Sequence, residues 1–501
     1  MRTLQNHITV VTPQRMKGIP AMRTYKLFIG GQWIDSAAGG MFDDVNPFTG
    51  EVFAQVAKAG GDDADRALAA ALSARKTWAS KVPAERAEVL MRAAQLLGER
   101  RDSFVNVLTA EGGSTFGKSM FEIVQTVDLL QTAAADSKRI MGETFHTDPR
   151  KLSLTIRRPK GTVVAISPWN FPLILSMYKV AYALATGNTV VFKPSSKTPV
   201  IGLMIGELFE AAGGLPAGAL NIITGPGSEV GAALIKDPRC SFVALTGETA
   251  TGREVARMAA ENLKEFTVEL GGKNPLVVLA DADMDLAVNA ASFGVFIHQG
   301  QICMAAGRII VEQPVVEEFT RRLVEKAKSL PVGDPALPST VIGPLIDDGQ
   351  VSKVDDLVQD TVKAGAKLHC GGTFSNRLYQ PTVLSGVNRS MRIYHEEVFG
   401  PVAPIISVAD AQEALDVAND NTYGLAAGVI TRDLKKALLF GERIEAGMVH
   451  VNNSPVDAES SVPFGGCRGS GMGREGGRYS IEKMTEIKWL TIQKDGAGFP
   501  F

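Results

Sequence analysis

From residue 161 onward, short apolar runs alternate with helical stretches, and this alternation restricts the fold more than any other property of the chain. Residues 162–166, 189–192, 220–223, 242–245 and 275–279 read as buried strands, with 199–212, 229–236 and 252–262 as helices between them. Strand, helix and strand in succession predict a parallel, doubly wound sheet with helices on both faces. Ligands bind such sheets at the carboxyl ends of the strands. A second run from about residue 283 predicts another α/β domain, with helices at 286–299, 315–330 and 350–365 and strands at 307–311, 402–408, 426–430 and 447–451. Ahead of both runs, 63–79 and 83–111 carry apolar residues at helical spacing and predict two amphipathic helices. Two β-prone segments, 151–158 and 486–493, lie outside both domains. Strands without partners invite another chain, so an oligomer built partly by strand pairing is expected.

At 501 residues the chain has room for two or three domains, each with its own core. Lys+Arg 52 against Asp+Glu 54 leaves a net charge of −2 without single-sign runs, so no nucleic-acid partner is expected. The four cysteines (Cys240, Cys303, Cys370, Cys467) are widely spaced with no CxxC. That argues against a disulfide framework and a zinc site, and points to a reducing compartment, the cytoplasm. No apolar stretch approaches the roughly 18 residues of a membrane span. Residues 1–24 read as an N-terminal extension without the apolar core of a signal peptide, and Met16 or Met22 is an alternative start.

Chemistry concentrates in a few segments. Cys303 sits among small residues in Gly300-Gln301-Ile302-Cys303, where backbone can approach a reacting carbonyl. Glu269 ends a β-prone stretch and is followed by Leu270, Gly271 and Gly272. A thiolate attacks carbonyl carbon and a carboxylate moves protons around it, the minimum for covalent acyl chemistry. Alone, each is more simply a buried thiol or a strand-end carboxylate. Asn170, where a strand gives way to a helix, can aim its amide at a developing oxyanion or merely cap the helix. Lys193 ends a strand, in reach of ribose hydroxyls or phosphate. Two glycine clusters compete for a dinucleotide. Gly225, Gly227 and Gly231 resemble a Rossmann fingerprint whose last interval is one residue too long. Thr246-Gly247-Glu248 joins strand to helix and offers amides to a pyrophosphate, although Glu248 is an awkward neighbour for one.

Seven motifs in order carry a family resemblance: Pro168-Trp169-Asn170-Phe171-Pro172, Gly187-Asn188-Thr189-Val190, Lys193-Pro194-Ser195, Glu269-Leu270-Gly271-Gly272-Lys273, Gly300-Gln301-Ile302-Cys303, Glu397-Val398-Phe399-Gly400-Pro401-Val402 and Pro463-Phe464-Gly465-Gly466. The series resembles the NAD(P)-dependent aldehyde dehydrogenase superfamily over nearly the whole chain. The resemblance implies a discontinuous Rossmann-type cofactor domain (25–149 and 161–270), a catalytic domain (271–470) and oligomerisation segments (150–160 and 483–501) of a homodimer or homotetramer. It implies that Cys303 is the nucleophile, that Asn170 and the Cys303 amide hold the oxyanion, and that Glu269 activates the hydrolytic water. Lys193 and Glu397 would grip ribose hydroxyls, with Phe399 near the nicotinamide. Ile166, Ser167, Pro168, Trp169, Ser195, Ser196, Leu270 and the glycine turns would complete the cofactor contacts. An acidic Cys303 thiol is expected, set by nearby amides and the cofactor's positive charge.

Two details refine these expectations. Many NAD-preferring relatives carry a glutamate where Ser196 stands, so NADP should be usable alongside NAD. The implied pocket (Phe171, Leu175, Tyr178, Ile297, Ile302, Met304, Phe464 and the loop 454–462) is largely apolar, with Tyr178 offering a hydroxyl. Its segments look most like the benzaldehyde, vanillin and salicylaldehyde branch, which implies oxidation of an aromatic aldehyde. The alternatives are aliphatic or semialdehyde substrates, a coenzyme A-acylating transferase, which Glu269 argues against, and a non-catalytic NAD-binding protein. His298 is expected on a helix, off the reacting face, as a packing residue.

Overall fold

The computed structural model describes residues 23–501. Most of the expected N-terminal extension lies outside the described residues, but Arg23 and Thr24 already belong to a strand, Arg23–Tyr25, paired with Val52–Ala57.

The cofactor-type sheet has eight strands. Its five central strands are parallel, in the spatial order Glu265–Glu269, Phe242–Thr246, Thr162–Ile166, Thr189–Lys193 and Leu220–Ile222. Chain order therefore reverses between Thr162–Ile166 and Phe242–Thr246, and the crevice at that reversal is where such sheets take ligands. Val163, Val164, Val190, Val191 and Phe192 are all 0% exposed, because helices cover both faces. That double burial is why these strands read as continuous apolar runs.

The second sheet has seven strands, six of them parallel, in the order Lys367–Cys370, Thr382–Ser385, Val402–Val408, Arg308–Glu312, Pro275–Val278, Ala426–Ile430 and Met448–Val451. Glu269 ends a strand of the first sheet and Pro275 begins one of the second, so the glycine-rich segment between them joins the two sheets.

Three expectations need correction. The helix expected over 83–111 is two helices, Pro83–Glu99 and Arg101–Gly112, broken at Arg100. The helix expected over 286–299 stops at Phe296. The outlying strands are not without partners, since Lys151–Pro159 and Thr485–Gln493 pair with each other, antiparallel, along their whole length. Thr485–Gln493 still presents one open edge, and Ile487, Trp489 and Ile492 on it are exposed. Among the described residues no helix is long and apolar enough to cross a membrane.

Candidate active site

Cys303 is held by an unusual turn. After Phe296 the residues His298, Gln299 and Gly300 adopt left-handed backbone, with φ of 49°, 55° and 72°. A β-carbon on Gly300 would lie 2.1 Å from the Gly400 carbonyl oxygen, so only glycine fits there. The two strained non-glycine residues need outside support. Gln299 Nε2 donates to the carbonyls of Gly113 (3.1 Å) and Pro344 (2.9 Å), and the Ile346 amide donates to Gln301 Oε1 (3.0 Å). His298 is thus not helical. It is 1% exposed, packs edge-on against Phe171 at 5.5 Å, and burial keeps its imidazole neutral.

Two asparagines clamp the same loop. Asn274 Nδ2 donates to the Cys303 and Ala305 carbonyls, 2.8 Å each, while its Oδ1 accepts the Ala426 amide. Asn170 Nδ2 donates one hydrogen to the Gln301 carbonyl at 2.9 Å, which leaves its second N–H for another acceptor.

Gly271 and Gly272 tie Cys303 to a second group. A β-carbon on Gly272 would meet the Cys303 carbonyl oxygen at 2.6 Å, and one on Gly271 would meet Glu397 Oε2 at 2.5 Å. The Gly272 amide donates to Glu397 Oε1 at 2.9 Å. Burial pushes the Glu397 carboxyl up to about 7.

Glu269 is 2% exposed, and neither carboxylate oxygen has a hydrogen-bond partner. Burial first, then the charge of Glu475, raise its pKa well above the carboxylate range; Lys179 and Arg474 oppose the shift. Behind Glu269 lies a buried pair, Lys179 and Glu475 at 2.9 Å, with Lys179 Nζ also donating to Thr246 Oγ1 at 2.6 Å. Among the chain's own groups, burial, Glu397 and Glu269 push the Cys303 thiol up to about 12. The chain's own groups therefore favour the thiol, and its ionisation needs a base or a positive charge brought in.

The expected cofactor residues surround the sheet's reversal, with some groups already engaged. Ile166 pairs with Lys193 across adjacent strand ends, and the Ser167 amide donates to the Lys193 carbonyl at 3.3 Å. Lys193 is 4% exposed, its Nζ donates to the Pro194 carbonyl, and burial lowers its pKa to about 8. The turn Gly227–Gly231 packs on the Lys193 stem, with a β-carbon on Gly227 3.8 Å from Cε. Trp169 and Phe399 meet edge to face at 5.3 Å. Phe399 is left-handed (φ 55°) and held by Gln350 Nε2 on its carbonyl. Leu270 packs where a β-carbon on Gly252 would stand.

Three expectations shift. The Gly247 amide donates to the Glu269 carbonyl and Thr246 Oγ1 accepts from Lys179, so amides further into the helix Thr249–Ala260 remain for a pyrophosphate. Ser196 Oγ donates to the Gly225 carbonyl at 2.8 Å, while Ser195 Oγ accepts the Lys197 amide. Lys197 pairs with Asp347 at 2.5 Å and lies over the Trp169 ring, so its charge is not free. The Tyr178 hydroxyl donates to the Glu459 carbonyl at 3.3 Å, so its proton is engaged and it faces a ligand as an acceptor.

The implied substrate residues assemble in part. Ile302, Met304 and Phe464 form one apolar cluster with the partly buried Phe171, Ile297 and Cys303. Tyr178 stacks on Phe464 at 5.9 Å with 21° between planes. Lys118 Nζ lies 4.3 Å from the Phe171 ring centroid. The sequence reading missed Lys179, Asn274, Gln299 and Glu475. A lysine inside an apolar helix was the available signal for Lys179; the others carried none. Among the described residues no cluster of His, Cys, Asp or Glu is arranged to hold a metal.

Residues 33–490 match the model of the aldehyde dehydrogenase family. The benzaldehyde dehydrogenase [NAD(+)] of Pseudomonas putida is 39% identical over 480 residues, 95% of this chain and 98% of that protein. The crystal structure of a salicylaldehyde dehydrogenase from Pseudomonas putida G7, complexed with salicylaldehyde, superposes with a TM-score of 0.93 at 39% identity, covering 96% of this chain and all of the other. That of an E. coli NADP dependent enzyme has a TM-score of 0.92 at 36% identity, covering 94% and 98%.

Proposed function

The chain belongs to the aldehyde dehydrogenase family, and from that premise we propose that it oxidises an aromatic aldehyde through Cys303, with Glu269 as the base that releases the acid. It is an aldehyde-oxidising enzyme that uses NAD or NADP. The convergence of Asn170, Gly272 and Asn274 on the loop of Cys303 carries the reading.

The cofactor fits this chain. A β-carbon on Gly271 would strike Glu397, and the strained Phe399 stands against Trp169, so backbone and side chains leave one carboxylate and one aromatic face side by side. Lys193 and Glu397 would hold the ribose, and the amides of the Thr249–Ala260 helix the pyrophosphate. When bound, the oxidised nicotinamide supplies a hydride acceptor and a positive charge.

Cys303 gives up its proton to solvent water, and its sulfur, now a thiolate, bonds to the aldehyde carbon. The second N–H of Asn170 and the Cys303 amide hold the oxygen that becomes negative. As the carbonyl reforms, the aldehyde hydrogen leaves as hydride and Cys303 carries a thioester. Ionised Glu269 then takes a proton from water, whose oxygen bonds to the acyl carbon while the carbon–sulfur bond breaks.

The aromatic substrate is supported by the flat walls of the pocket, the Tyr178–Phe464 stack and Phe171, together with Ile297, Ile302 and Met304. Usable NADP is supported by Ser196, which puts no carboxylate beside a 2′-phosphate. The engaged Lys197 offers that phosphate little attraction, so NAD is expected to serve as well. A homo-oligomer is supported by the open edge of Thr485–Gln493 and its exposed apolar residues. The test is a panel of aldehydes assayed with each cofactor. Benzaldehydes should give the highest kcat/KM, and faster turnover of acetaldehyde or succinic semialdehyde contradicts the assignment.

A further inference from the structure

Lys273 follows the two glycines that seat Cys303 and Glu397, yet no step above uses it. Its side chain is 1% exposed and its Nζ has no hydrogen-bond partner, a costly state for an ammonium group. Lys273, Glu397, Gly272 and Phe399 line one cavity of about 20 Å³, enough for one water molecule. The two side chains are not in direct ion contact, but each feels the other's charge. Arg308, Glu396 and Lys353 also act on Lys273, and Lys353 and Glu248 on Glu397.

We propose that Lys273 is a positioning residue for the nicotinamide-ribose end of the cofactor site, holding the Glu397 carboxylate through one water in the cavity they share. The inference rests on the reading of Glu397 as a ribose acceptor. Burial alone drives the Glu397 carboxyl toward its neutral form, which grips hydroxyl groups less well. Lys273, whose own pKa burial lowers to about 7, opposes that drift in its charged form, and a water between the two side chains fixes which oxygen turns toward the ribose. Gly272 secures only Oε1, so the bridging water supplies the second constraint.

A double-mutant cycle tests this, with KM for NAD and for NADP as the readout. Lys273→Met and Glu397→Gln should each raise cofactor KM about tenfold or more. The double variant should be no worse than Glu397→Gln alone, because Lys273 acts only through that carboxylate. The acid limb of kcat/KM for cofactor should also move to higher pH in Lys273→Met. Lys273→Gln enters the same cycle if the Met variant fails to fold. Additive effects, or an unchanged cofactor KM in the folded lysine variant, overturn the proposal. An unchanged KM in Glu397→Gln instead removes the ribose reading on which it stands.

Discussion

A β-carbon on Gly465 would lie 2.4 Å from Oε1 of Glu269, so the chain after Phe464 leaves room for that carboxyl only by having no side chain there. Gly465 also has a φ of 143°, which L residues rarely adopt. Gly465→Ala should therefore push Glu269 out of place. We expect kcat to fall at least tenfold while the initial burst of reduced cofactor persists, as stopped-flow absorbance would record. A variant with normal steady-state turnover shows that Glu269 does not need this seat.

Asn170 donates one N–H to the Gln301 carbonyl, and the proposed mechanism assigns its second to the oxyanion. Asn170→Ala should lower kcat by roughly 10²–10³, the usual loss of one oxyanion donor, with KM for aldehyde changed little. A large rise in KM at constant kcat instead assigns Asn170 to ground-state binding.

Stability should depend on pH through a buried carboxyl pair that takes no part in the proposed chemistry. Asp44 is 2% exposed beside the fully buried Glu111, whose carboxylate accepts the amides of Val200 and Ile201. Burial raises Asp44 to about 7. Its folded pKa thus exceeds its unfolded one, so the folded state binds the extra proton. The stabilisation is complete below about pH 4 and is lost as pH rises through 7, by up to about 1.4 kcal/mol per unit. Asp44→Asn should flatten the fall of Tm between pH 5 and 8, and an unchanged slope contradicts the account.

The strands of the cofactor sheet were legible because helices bury both of their faces, so Val163, Val164, Val190 and Val191 announce themselves as apolar runs. The helix Phe116–Ser137 escaped notice because its buried face includes Lys118, Ser119, Glu122 and Thr126, which blur an apolar stripe. Lys118 and Glu122 are tolerated there because they satisfy each other and the amides of Leu173 and Ile174. The break at Arg100 has no proline to mark it, and Gly98, two residues earlier, lies inside the first helix. In the site, Cys303, Asn170 and Glu269 stood out by motif. Their protonation did not, because burial and the charges of Glu397 and Glu475 come from segments distant in the chain. The left-handed turn at His298 and Gln299 was hidden for a related reason: Gly113 and Pro344, which hold it, belong to other segments.

The most direct test of Cys303 and Glu269 as nucleophile and deacylating base is mass spectrometry of Glu269→Gln, quenched seconds after mixing with benzaldehyde and oxidised cofactor. The expected result is one benzoyl group per chain, on the peptide bearing Cys303, formed in step with a burst of reduced cofactor and decaying slowly. Sustained turnover without that adduct, or an adduct on another residue, contradicts the account.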